Sequence, residues 1–121
     1  MSDLRWIGAA EAARAIAARK LSPVELTTAL LERIGRLDPK LNVFIRLDAD
    51  AAMAAAKAAE AEIATGRPRG PLHGVPVGVK DIIDVAGLPT TCHSTQSDSP
   101  MSKRPNSRLR SESCAKVRIV E

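Results

Sequence analysis

The sequence predicts an α/β fold, with helices gathered in the first half and strand-forming residues after them. Three observations carry that reading. Apolar residues recur at helical spacing between Ala9 and Ile63, with recognisable start and stop signals. The run "LNVFIRL", Leu41 to Leu47, has the β-branched and aromatic content of a short extended segment. The run "VPVGVKDIIDV", Val75 to Val85, is rich in valine and isoleucine and is bounded by glycine and proline, as a strand is.

The elements follow in order. Ala9, Ala12, Ala13 and Ile16 form the stripe of a first helix whose pattern stops near Leu21. In "SPVE", Ser22 is placed to cap and Pro23 suits the first helical position, where its missing N–H costs nothing; Glu25 completes a capping box. A second helix therefore starts at Pro23, with Leu26, Leu30, Ile34 and Leu37 as its apolar stripe and Glu32, Arg33 and Arg36 facing away. Asp38–Pro39 is expected to end it, because a proline disfavours helical backbone in the residue before it. After the extended 41–47 segment, an alanine-rich third helix is capped by Asp48 or Asp50 and stopped at Gly66. "RPRGPLHG", residues 67–74, has two prolines and two glycines and reads as a loop, with His73 a structural residue in a turn. Pro76 then marks a strand edge, start or bulge.

At Ser94 the character changes. From Thr95 onward the chain is rich in serine and arginine, holds a single alanine, Ala115, and shows no sustained period. The expected organisation is a folded segment over residues 1–94 and a divergent, disordered basic tail over 95–121.

A chain of 121 residues is the size of one domain. Apolar residues make up 45%, but alanine supplies much of that, with one Trp, one Phe and no Tyr, so the core is expected to be thin. The net charge of +4 resides mainly in the tail, where Lys103, Arg104, Arg108, Arg110, Lys116 and Arg118 outnumber Asp98, Glu112 and Glu121. With no aromatics interleaved for stacking on bases, this pattern argues against nucleic acid as a partner. No run approaches the roughly 20 apolar residues that cross a bilayer, and the first residues lack a signal-peptide core, so a cytoplasmic protein without membrane contact is expected. Cys92 and Cys114 have no metal-type spacing and read as free thiols.

Lys80 stands out because it falls within the most apolar run, followed at once by Asp81. An ammonium group in such a setting is paired, extended toward water, or shifted toward the neutral amine. Alternation along a strand sends Asp81 to the opposite face, and Asp84 reaches the Lys80 face only from a distance. A buried lysine with its pKa brought down from about 10.4 is able to accept a proton from a hydroxyl. A structural lysine is the alternative. Other constellations carry less. "GVKD" lacks the spacing of a phosphate loop. Cys92 and His93 are neighbours whose side chains diverge in extended chain, and Thr90 and Thr91 follow a turn as cleft or surface hydroxyls.

The stretch "GPLHGVPVGVKDIIDVAGLPTTCHS", Gly70 to Ser94, resembles the amidase signature family, most specifically in "HGVPVGVKD", His73 to Asp81. The preceding "LSPVELTTALLERIGRLDPKLNVFI" resembles the helix and short strand that come before it there, so the resemblance covers about residues 3–94. It implies the N-terminal helices and first strands of a mixed-sheet fold, here incomplete. It also implies hydrolysis of a carboxamide C–N bond by a serine, a second serine in a cis peptide and a lysine, the lysine falling on Lys80. The substrate would be a small carboxamide, with no metal or organic cofactor. Simple amidases and the amidase subunits of glutamyl-tRNA amidotransferases share these motifs. A non-catalytic helical interaction module is the reading from a different class.

The glycine- and serine-rich segment that carries both family serines has no counterpart here: nothing like "GGSSGG" occurs, and the tail serines lack flanking glycines. The expectation is a truncated, inactive chain, its tail the product of a frameshift past codon 94. Apolar surface left uncovered would then call for a complementary chain or a chaperone.

Overall fold

The computed structural model describes residues 3–83 and 85, and the backbone of residues 115–119. A 3₁₀ turn, Leu4–Trp6, leads into α1 (Ala9–Ala17), α2 (Pro23–Leu41) and α3 (Ala49–Ala64), followed by strands β1 (Pro76–Lys80) and β2 (Ala115–Ile119). The architecture is mixed α and β, as expected, with a two-stranded antiparallel ribbon among the described residues. In its register Pro76 faces Ile119, Gly78 faces Val117 and Lys80 faces Ala115.

Helix ends follow local chemistry. Ser22 Oγ accepts from the N–H groups of Val24 and Glu25 at 3.0 and 3.2 Å, satisfying two donors that the first turn of α2 leaves open. Its own hydroxyl donates to Glu60 of α3, so the capping serine also ties two helices together. Asp48 is the cap of α3, accepting from Ala51 N–H at 3.1 Å. Both α1 and α3 close by the same double bond. Arg19 (φ 56°) and Gly66 (φ 74°) take the left-handed conformation, and the residue after each donates back to Ala15 O at 2.8 Å and Glu62 O at 2.9 Å. Arg19 then reaches across, its guanidinium donating to the terminal carbonyls of Ile63 and Ala64 on α3 at 3.2 Å each.

Three sequence expectations are corrected. Asp38–Pro39 does not end α2, which runs on to Leu41 with Pro39 inside its last turn. The stop is made by Asn42 in left-handed conformation, its N–H bonded to Asp38 O at 2.7 Å, while the Asp38 carboxylate accepts from Val43 and Phe44 N–H at 2.8 and 3.1 Å. Because α2 takes Leu41 and the turn takes Asn42, the 41–47 segment is not a strand; only Arg46 makes a single-residue β-bridge. In the tail, Ala115–Ile119 departs from the expected disorder by pairing with β1; residues 95–114 and 120–121 lie outside the described residues.

The core forms where α1, the start of α2, the end of α3 and the entry to β1 meet: Ala12, Ala13, Ile16, Leu21, Leu26, Ile63 and Val75 are buried together. A smaller cluster, Ala56 and Ala59 with Val24 and Ala55, lets α3 approach α2 closely because alanine keeps the two backbones near each other. The thin core foreseen from the composition is what forms. Large apolar side chains stay exposed, among them Leu41, Val43, Leu72, Ile82 and Ile83. Among the described residues no helix is long and apolar enough to cross a membrane.

Candidate active site

The path to Lys80 starts in the 67–74 loop. His73 is 5% exposed, and its Nδ1 accepts the Arg69 backbone N–H at 3.1 Å. Its Nε2 lies 3.4 Å from Glu62 Oε2 on α3. The Arg69 guanidinium closes the circle, Nε donating to Glu62 Oε2 at 2.7 Å and a terminal nitrogen donating to Oε1. These bonds with Arg69, ahead of the charges of His73 and Arg67, hold the Glu62 carboxyl below its ordinary value. His73 is a structural residue in a turn, as the sequence suggests; it is buried against the end of α3 and holds the Arg69 backbone, while Arg69 binds the loop to α3.

Gly74 follows with φ 84° and no room for a side chain, since a Cβ there would lie 2.8 Å from Pro23 Cγ and 3.4 Å from Ile16 Cγ2. The loop thus presses backbone directly onto the first residue of α2. Val75 enters the core, and β1 leaves it.

Along β1 the side chains of Val77 and Val79 share a face by alternation, and Asp81, in the turn just after the strand, is fully buried. Lys80 falls on the other face and is exposed. The expected burial of the lysine is therefore corrected: the charged side chain that the strand end withdraws from water is the aspartate. The physical reason is coverage. Among the described strands β1 pairs only with β2, and the Lys80 side chain is left exposed. Asp84, Thr90, Thr91, Cys92, His93 and Cys114 lie outside the described residues.

The other concavity near β1 is apolar. A cavity of about 320 Å³ lies between the C-terminal half of α2 and the start of the strand, lined by Leu30, Ile34, Leu37, Leu41, Phe44 and Val77. It extends along β1 to Gly78, two residues short of Lys80. The apolar stripe read on α2 thus splits, with Leu26 in the core and Leu37 at this open face.

Comparison with known proteins gives a consistent picture. The model of a protein family described as Amidase matches residues 25–107, a span that crosses the change of composition at Ser94. The A subunit of the glutamyl-tRNA(Gln) amidotransferase from Acidothermus cellulolyticus is 48% identical over 94 residues, covering 78% of this chain and 19% of the relative. The protein of the same name from Salinispora arenicola is 44% identical over 94 residues, with the same coverage of both chains. That from Aromatoleum aromaticum is 52% identical over 80 residues, covering 66% of this chain and 16% of the relative. The chain spans about a fifth of the length of these curated relatives.

Proposed function

The chain belongs to the amidase family, and from that premise we propose that it is the lysine-bearing segment of an enzyme that hydrolyses a carboxamide C–N bond. The observation that carries the reading is the "HGVPVGVKD" run, with Lys80 inside a matched span of 83 residues, 25–107. In this reading Lys80, as the neutral amine, accepts a proton relayed from a serine hydroxyl, and that serine attacks the amide carbon. The tetrahedral intermediate is held by backbone N–H groups, ammonia or an amine leaves, and water releases the acid. The serines belong to a segment this sequence does not contain, so the chain alone is expected to be inactive. The exposure of Lys80 fits the same view. A lysine that acts as a base at neutral pH needs its ammonium form disfavoured by burial, and the cover over Lys80 would come with the serine segment. The setting is cytoplasmic, and a complementary chain is the partner the reading calls for.

A chimera tests this. Residues 3–94 replace the matching segment of a full-length amidase of the family, and release of ammonia from a simple carboxamide is followed. Expected are turnover by the chimera, loss of at least a hundredfold in its Lys80→Ala form, and none by the 121-residue chain alone. An inactive but folded chimera, or one indifferent to Lys80→Ala, overturns the proposal. Turnover by the chain alone overturns the expectation of inactivity.

A second reading is favoured by the names of the relatives: the same segment of the A subunit of a glutamyl-tRNA(Gln) amidotransferase. The same exchange made in that enzyme separates the two. Function there and not in the simple amidase selects the second.

A further inference from the structure

His73, Glu62 and Arg69 form a closed circuit that constrains the state of the imidazole. The Arg69 N–H donates to Nδ1, so Nδ1 carries no hydrogen, and the single ring hydrogen of the neutral form sits on Nε2, facing Glu62. Arg69 takes part twice, through its backbone N–H to the ring and through its guanidinium to the carboxylate that the ring faces. One residue further on, Gly74 presses against Pro23; two residues on, Val75 is in the core; Pro76 begins β1. The circuit therefore fastens to α3 the point from which the strand departs.

We propose that His73 is a positioning residue for β1, acting in its Nε2–H tautomer only: its Nδ1 holds the Arg69 backbone, and Arg69 in turn latches the 67–74 loop to Glu62 of α3. A second proton on the ring has one place to go, Nδ1, and it enters only by displacing the Arg69 N–H. Protonation of His73 thus releases the loop at Arg69 even though the imidazolium would be attracted to Glu62. Among the described residues the charged groups against the ring are Glu62 from α3 and Arg69 from the loop. The latch rests on the amidase reading only for its consequence, the placing of Lys80; its geometry stands without it.

The test uses the full 121-residue chain labelled with ¹⁵N. Long-range ¹H–¹⁵N spectra of the imidazoles report the tautomer, and His73→Asn identifies which of the two histidines is which. Expected is the Nε2–H pattern for His73; a hydrogen on Nδ1 overturns the proposal. Amide exchange then separates the arms. In His73→Gln the acceptor moves outward, and the Arg69 amide and those of β1 should exchange at least tenfold faster. In His73→Asn a side-chain oxygen stands near the place of Nδ1, and both should stay within about threefold of wild type. Loss of β1 protection in His73→Asn equal to that in His73→Gln, or none in either, overturns the latch. If His73→Gln unfolds the whole chain, the wild-type tautomer and His73→Asn still decide. In wild type, β1 exchange corrected for its intrinsic pH dependence should rise in step with the His73 ring titration and stay flat in His73→Asn. None of these readouts depends on amide turnover, so an inactive chimera leaves them unchanged.

Discussion

Val75 and Val77 are two residues apart, yet the first is 7% exposed in the core beside Ile16 and Leu26, and the second is 39% exposed. The boundary between a packed region and an open one runs through the first residues of β1. On the packed side, helix ends are capped, Arg19 and Ser22 bind helices to one another, and glycine and alanine allow backbones to touch. On the open side, β1 and the end of α2 present Val77, Leu37 and Leu41 to water. The candidate chemistry lies on the open side and its anchoring on the packed side. What holds this segment together is therefore distinct from what would make it work.

The comparison breaks most readily at Gly74. An alanine there meets the Pro23 ring, which is fixed at the start of a helix, and must also take φ 84°. A left-handed residue with a Cβ costs about 1–2 kcal/mol and overpacking about 1–3 kcal/mol more, so Gly74→Ala should destabilise the chain by about 3 kcal/mol. Urea unfolding measures it. A loss below about 1 kcal/mol, within the range of ordinary surface changes, would mean that the loop does not bear on α2 as described.

Effects near 1 kcal/mol should appear with opposite signs at the cap of α2 and within its first turns. Ser22→Ala removes the cap and the tie to Glu60, and should cost about 1 kcal/mol or somewhat more. Thr27 is buried with its hydroxyl unpartnered among the described residues, so Thr27→Val, which keeps the shape and removes the polar atom, should stabilise by about 1 kcal/mol. Stability lost in both would place an unseen partner on Thr27.

How far the sequence foretold this division depends on the range of the interactions involved. Ser22, Pro23 and Asp48 were legible because a cap is a contact between near neighbours. The end of α2 was misread because Asp38 and Asn42 together make a turn that outweighs the proline signal. Lys80 was misread for a longer-range reason: an apolar run predicts burial only if a layer covers it, and a single sequence does not tell which layers are present. The family motif pointed to Lys80 independently of that error. The latch was hidden because Glu62 and His73 are eleven residues apart with a helix end and a loop between; a histidine in a glycine- and proline-rich loop, close to an arginine, was the signal available.

Acid should loosen the packed side first at its ion pairs. Glu62 has its carboxyl below the ordinary 4.5 in the folded chain because Arg69 binds it, and Asp3 lies below the ordinary 3.8 because Arg5 does. A carboxyl lowered on folding contributes stability that is fully present above its unfolded value and is lost as pH falls through the folded one. Stability should thus be flat above about pH 5 as far as these groups are concerned, and should decline below the ordinary carboxylate values. Glu62→Gln should remove its share of that decline. Unfolding curves between pH 6 and pH 3 check it, and an unchanged acid slope in Glu62→Gln would show that the Arg69 pair adds nothing measurable.

The smallest effect is expected where the side chains are largest. Leu37 and Leu41 are 42% and 61% exposed at the rim of the apolar cavity, so a large part of each stays in water, and the apolar stem of a lysine can cover much the same surface. Lysine matches leucine in helix propensity, and at the C-terminal end of α2 its charge is favoured by the helix dipole. Leu37→Lys and Leu41→Lys should therefore each change stability by no more than about 0.5 kcal/mol. Self-association, followed by light scattering at rising concentration, should fall, because each change interrupts a patch of apolar surface open to other molecules. A loss of about 2 kcal/mol or more in either variant would put these leucines in the core and erase the boundary at Val75. A small loss with undiminished association would place the sticky surface elsewhere, with Ile82 and Ile83 at the end of β1 the next side chains to change.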